Sequence, residues 1–166
     1  MADPHSPDRD YVIREDNLRG EAIQQLLREH LAGVSSHSPA ESVHAMDIDR
    51  LRSPDVTFWS AWDGETLVGC GALCELSPTH GEIKSMRTAA SHLRRGVATT
   101  VLQHLVAEAH RRGYARLSLE TGGVEAFAAA RALYARAGFQ PCGPFGSYVD
   151  DGFSVFMTRE LGQADT

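Results

Sequence analysis

Cysteine is scarce and unpatterned. Cys70, Cys74 and Cys142 are odd in number and show no Cys-x-x-Cys spacing, so neither a disulfide framework nor a cysteine-held zinc is suggested, and they read as small buried apolar residues. Long apolar runs are also missing. None approaches the ~20 residues that span a bilayer, and the opening Met-Ala-Asp-Pro-His-Ser-Pro lacks the basic and apolar regions of a signal peptide. A cytoplasmic chain with no membrane partner is the expectation. Nor is positive charge in excess. The 16 Lys and Arg are dispersed among 22 Asp and Glu, a formal charge of −6, which argues against the extended phosphate-neutralising face that nucleic acid requires. The eight histidines form no His-x-x-x-His pair with a carboxylate at ligand spacing, so no metal is expected.

What is present suits one globular domain. A length of 166 residues with 42% apolar residues supports a single core. Residues 1–9, polar and holding two prolines, are expected as a disordered tail ahead of a domain spanning 10–162. Tyr11-Val12-Ile13-Arg14 is β-rich, and Ile23, Leu26, Leu27 and Leu31 recur at helical spacing. A second helical pattern runs from Ser38 to Leu51, opened by Ser38, Pro39 and Glu41. Val56 to Trp62, Leu67 to Leu76 and Gly81 to Thr88 read as an antiparallel meander, joined by Asp63-Gly64 and by a loop holding Pro78.

The period then changes. Val97, Val101, Leu102, Leu105, Val106 and Ala109 mark a helix closing on Arg111-Arg112-Gly113. Tyr114 to Glu120 alternates as a strand, broken by Gly122-Gly123. Phe127, Ala130, Leu133, Tyr134 and Ala137 line another helix, stopped by Gly138. Phe139 to Cys142 and Phe153 to Thr158 complete an α/β (α+β) order of β-α-α-β-β-β-α-β-α-β-β. Trp59 and Trp62 are an odd number of residues apart, so they point to opposite faces of their strand.

Leu93-Arg94-Arg95-Gly96-Val97-Ala98 stands between a strand and a helix. The first-turn amides of a helix lack intrahelical acceptors and the helix dipole is positive there, so such a turn binds phosphate readily. Gly96 and Ala98 let an oxygen approach the main chain without meeting a branched side chain. Arg94 and Arg95, with Arg87 shortly before them, concentrate cations in an acidic chain and fit a small polyanion; a solvated surface pair is the plain alternative. The turn has no Gly-Lys-Ser/Thr ending and no Gly-x-Gly-x-x-Gly, so it is neither a Walker loop nor a dinucleotide fingerprint.

Three features in order resemble the GCN5-related N-acetyltransferase (GNAT) family. Ile83-Lys84-Ser85-Met86-Arg87-Thr88 followed by Arg94-Arg95-Gly96-Val97-Ala98 is similar to its fourth strand and pyrophosphate loop. Ala132-Leu133-Tyr134-Ala135-Arg136-Ala137-Gly138-Phe139 resembles its tyrosine helix, and Phe153-Ser154-Val155-Phe156-Met157 its last strand. The resemblance runs from about Tyr11 to Leu161 and is nearest to small bacterial members. Leu93 stands where the family usually has glutamine or arginine, and Phe127 where its last helix often opens with asparagine; neither change removes a main-chain amide.

The resemblance implies a mixed central sheet of six to seven strands. It also implies direct transfer of an acetyl group from acetyl-CoA to an amine, with the cofactor's pyrophosphate on Leu93, Arg94, Arg95, Gly96, Val97 and Ala98 and its thioester along Met86, Arg87 and Thr88. The acceptor would be a small-molecule amine or a protein amino group, and a homodimer is compatible with the fold. Tyr134 is the candidate acid for the departing thiolate, since a phenol of pKa about 10 gives up a proton to a thiolate of about 8.5 only modestly uphill. Glu82 and Glu120 are the carboxylates nearest the thioester strand, and Glu82 is the preferred base; strand alternation puts Glu82, Lys84 and Met86 on one face. His44, on the second helix, would face the acceptor or pack the helix. His80 could relay a proton near the mouth of the third–fourth strand hairpin, and is read first as a solvated turn residue. A non-catalytic acyl-CoA-binding module of the same fold is the rival reading.

Overall fold

The computed structural model describes residues 11–31, 48–123, 125–150 and 152–162. Among the described residues there are seven strands: β1 (Val12–Glu15), β2 (Val56–Asp63), β3 (Thr66–Ser77), β4 (His80–Thr88), β5 (Arg116–Gly122), β6 (Gln140–Cys142) and β7 (Ser154–Glu160). They form one mixed sheet in the order β1-β2-β3-β4-β5-β7-β6, in which β4 and β5 run parallel while β5–β7, β6–β7 and β1–β2 are antiparallel. Helices that lie wholly among the described residues are α1 (Glu21–Leu31), α2 (Val97–Arg111) and α3 (Ala128–Arg136). Of the second helix expected from the sequence, residues 48–51 are helical, whereas His44 and the tail at 1–9 lie outside the described residues. The chain clusters into two compact units, Met1–Leu73 with Ser85–Leu105 and Cys74–Lys84 with Val106–Thr166.

In the first unit α1 buries Ile23, Leu26 and Leu27 on one face, as the three- and four-residue spacing requires. They join Leu18, Ile48, Leu51, Phe58, Cys70 and Ala72 in one apolar cluster, where each fully buried aliphatic side chain contributes about 1.5–3 kcal/mol. The first turns of α2 lie close against β3 because β3 has glycine at two alternate positions. A Cβ on Gly69 would sit 2.6 Å from Val97 Cγ1 and 2.8 Å from the Arg87 carbonyl oxygen, and one on Gly71 would sit 2.8 Å from Val101 Cγ1. The odd spacing of the tryptophans shows in their partners. Trp59 meets His104 of α2 edge-on at 5.0 Å, and Trp62 lies under the Arg14 guanidinium at 4.6 Å.

In the second unit Leu117 and Leu119 of β5 and Met157 of β7 are buried. Both helices end alike, with a glycine in left-handed backbone just past the last turn: Gly113 at φ 81° and Gly138 at φ 94°. The amides of Tyr114 and Phe139 then close back on the carbonyls of Ala109 and Tyr134. The expected break at Gly122-Gly123 is displaced, because β5 continues through Gly122, paired with Ser154. Glycine is there for space: an added Cβ would meet Cδ2 of Phe127 at 2.3 Å. Phe127 itself caps α3 from a 3₁₀ turn, Glu125–Phe127, with no side-chain capping bond.

Candidate active site

The first unit holds the residues expected at the cofactor. After β4 a 3₁₀ turn at Ala90–His92 leads into a turn at 93–96. Arg94 and Gly96 both take left-handed backbone, at φ 63° and 81°, which reverses the chain and starts α2 at Val97. No acidic residue occupies the first turn of α2, so its positive end is not offset by its own side chains. Leu93, Arg94 and Arg95 are exposed, and Val97 is buried. The Tyr11 hydroxyl donates to the Arg95 carbonyl at 2.7 Å, tying the turn to the segment before β1.

Met86, Arg87 and Thr88 form the end of β4, directly after a kink. Ser85 has φ 56°, and its carbonyl accepts from Cys70 Sγ at 3.3 Å. A left-handed residue inside a strand interrupts the two-residue alternation, so the expectation that Met86 shares a face with Glu82 and Lys84 fails at Ser85. Met86 instead approaches Gly71, on the side where Val101 and Leu105 of α2 also approach it. Arg87 Nη1 donates to the Met86 carbonyl at 2.6 Å.

The second unit holds the candidate bases and acid. Glu82, opposite Ser118 in the parallel β4–β5 ladder, is 3% exposed. Its Oε2 accepts from the Tyr148 hydroxyl at 2.6 Å and lies 3.5 Å from Lys84 Nζ. Lys84 Nζ also reaches the Tyr148 hydroxyl at 3.5 Å. Glu120 is exposed and accepts from Ser154 Oγ at 2.6 Å. Tyr134 is buried on α3, edge-on to Phe139 with centroids 6.0 Å apart.

Tyr148 is the residue that sequence reasoning missed. It lies in the turn-rich stretch between β6 and β7, with no periodicity to single it out. Buried Phe145 anchors that stretch, packing on Tyr148 at 5.2 Å, Phe156 at 5.8 Å and His80 at 5.9 Å. Burial first, and then the hydrogen bond and charge of Glu82, push the Tyr148 phenol above its ordinary value. His80 is also not the solvated turn residue expected. It opens β4 and bonds Ser118 Oγ at 2.7 Å, and burial, with the charge of Arg116, lowers its imidazole. Among the described residues no group of three His, Cys, Asp or Glu is placed to hold a metal ion, and no helix is long and apolar enough to cross a membrane.

The profile of the Acetyltransferase (GNAT) family matches residues 21–139. The chain is 56% identical to the N-acetyltransferase YsnE of Bacillus subtilis (strain 168), covering 90% of this chain and 99% of that one. It is 48% identical to the N-acetyltransferase YedL of Escherichia coli (strain K12), covering 91% and 95%. In fold it is similar to the PaiA N-acetyltransferase of Thermoplasma acidophilum, solved in complex with coenzyme A, at a TM-score of 0.70 and 19% identity over 91% of this chain and 99% of that one. A seven-stranded mixed sheet, a glycine turn opening a helix and relatives of this identity together make the chain an N-acetyltransferase belonging to the GNAT family.

Proposed function

We propose that the chain transfers the acetyl group of acetyl-CoA directly to a primary amine of a small molecule or a protein, as a cytoplasmic enzyme in which residues 10–162 act as one catalytic domain. The observation that carries this reading is the turn at 93–96, where left-handed Arg94 and Gly96 deliver the N-terminus of a 15-residue helix whose first turn has no acidic residue. A pyrophosphate matches that arrangement of amides and dipole. The coenzyme A held by the similarly folded PaiA enzyme is in keeping with it.

In this reading the main chain of Leu93 and of Gly96, Val97 and Ala98 grips the pyrophosphate, while exposed Arg94 and Arg95 add charge. Met86, Arg87 and Thr88 hold the thioester, and an amide of this segment donates to the developing oxyanion, an effect of about 3 kcal/mol. Glu82 is the base that takes the proton of the ammonium; its buried, doubly partnered carboxylate is better fixed than exposed Glu120. The neutral nitrogen attacks the thioester carbonyl, Tyr134 protonates the thiolate as the C–S bond breaks, and the second proton that the nitrogen sheds on becoming an amide restores the phenol.

Acetyl-CoA should raise the melting temperature of the wild type and leave that of Gly96→Trp unchanged. Ala98→Asp, which keeps the glycine and places a carboxylate at the same turn, should behave likewise. Equal protection of all three proteins would overturn the loop assignment. Thiol release from acetyl-CoA across a panel of primary amines tests the transfer itself. Protection without release from any amine would leave a binding module instead of an enzyme.

A further inference from the structure

A base that is 3% exposed needs a route for the proton it is to receive, and the residues around Glu82 supply one candidate. Lys84 Nζ is 3.5 Å from the carboxylate, but an ammonium offers donors and no acceptor. The Tyr148 hydroxyl is different. It donates to Glu82 Oε2 at 2.6 Å and accepts from Lys84 Nζ at a long 3.5 Å, which leaves its oxygen one lone pair for a second proton, and its ring is only half-buried. The ring is held on one side by Phe145 and on another by Phe156, at 5.2 and 5.5 Å. Lys84 stands over its face at 5.9 Å. Burial first, and then the hydrogen bond and charge of Glu82, keep the phenol protonated.

We propose that Tyr148 relays the proton of the acceptor ammonium to Glu82, an inference that rests on Glu82 being the base. An N–H bond of the ammonium breaks and its proton passes to the Tyr148 oxygen. The phenol's own proton passes in the same step to Glu82 Oε2, and the nitrogen keeps the electron pair with which it attacks. Tyr148 is neutral before and after. Glu82 ends as a carboxylic acid and returns the proton to water by the reverse path once the amide has left. The segment after β6 is thus part of the catalytic machinery.

The test compares acceptors that need deprotonation with acceptors that do not. Each alkyl amine turned over by the wild type is paired with its β,β,β-trifluorinated analogue, which is largely neutral at neutral pH. Tyr148→Phe should slow the alkyl amine roughly 10²-fold, the size of a general acid–base effect, and the fluorinated one by less than about threefold, with KM for acetyl-CoA unchanged. Glu82→Gln should show the same selectivity, and the double variant should be no slower than Glu82→Gln alone, because the two groups act in series. Equal slowing of both amines by Tyr148→Phe, or no slowing, overturns the relay and leaves acetyl transfer standing. No thiol release by the wild type with any amine of either kind overturns acetyl transfer and the relay with it.

Discussion

A methyl group on Gly122 would lie 2.3 Å from Cδ2 of Phe127, well inside any contact a real Cβ makes. Gly122→Ala must therefore push the ring that caps α3, and a loss of about 1–3 kcal/mol is expected, seen as a lower urea midpoint. Gly143, with nothing within 4 Å of its built Cβ and no left-handed φ, is the control whose alanine variant should be near neutral. Charge acts at single residues too. Arg111 first, and then Arg112, hold the Glu108 carboxyl down to about 2 by hydrogen bonds that favour its ionised form. A lowered folded value means the stabilisation is present above the ordinary carboxylate range and is lost as pH falls through about 2. Arg111 is 71% exposed, so screening by water and salt keeps the effect small. Glu108→Gln should lower the urea midpoint slightly at neutral pH, with the difference shrinking as the solution is acidified.

Strand β4 owes its shape to Ser85, whose φ of 56° an L-residue adopts only at a cost. Ser85→Gly should be neutral or slightly stabilising, and Ser85→Val should cost about 1–2 kcal/mol, because a branched Cβ crowds its own carbonyl in that region. Denaturant midpoints of the two variants decide it, and loss of stability in both would mean that the serine side chain matters more than the backbone. The sequence could not announce this kink, since serine carries no left-handed signal. The strand was visible, and its parity was not. Elements with a period were the readable ones: the apolar stripe of α2 from Val97 to Ala109, and the glycines that end α2 and α3. Glu82 was legible as a carboxylate on β4, whereas Tyr148 is 66 residues away in sequence and is brought to it by aromatic packing around Phe145. Gly122 misled for a related reason. A glycine in a strand marks a break or a close approach with equal right, and only the Phe127 ring decides between them.

At the scale of the whole molecule, a chain of net charge −6 and pI 5.7 repels a polyanionic cofactor at long range. On the proposed reading attraction comes from the turn itself, through amides that salt screens little and through the guanidiniums of Arg94 and Arg95, which are exposed. These two contributions separate by ionic strength. The screening length falls from about 10 Å at 0.1 M salt to about 3 Å at 1 M, so the side-chain share should fade while the main-chain share persists. With acetyl-CoA at about 100 times its Kd, binding adds about 2.7 kcal/mol of stability, a rise of roughly 5–10 °C in Tm for a chain of this size. Arg94→Gln with Arg95→Gln should lose part of that rise at low salt and little of it at 1 M. A deficit that stays constant across the salt range would mean the arginines act by shaping the turn, through the left-handed backbone at position 94, and not by their charge.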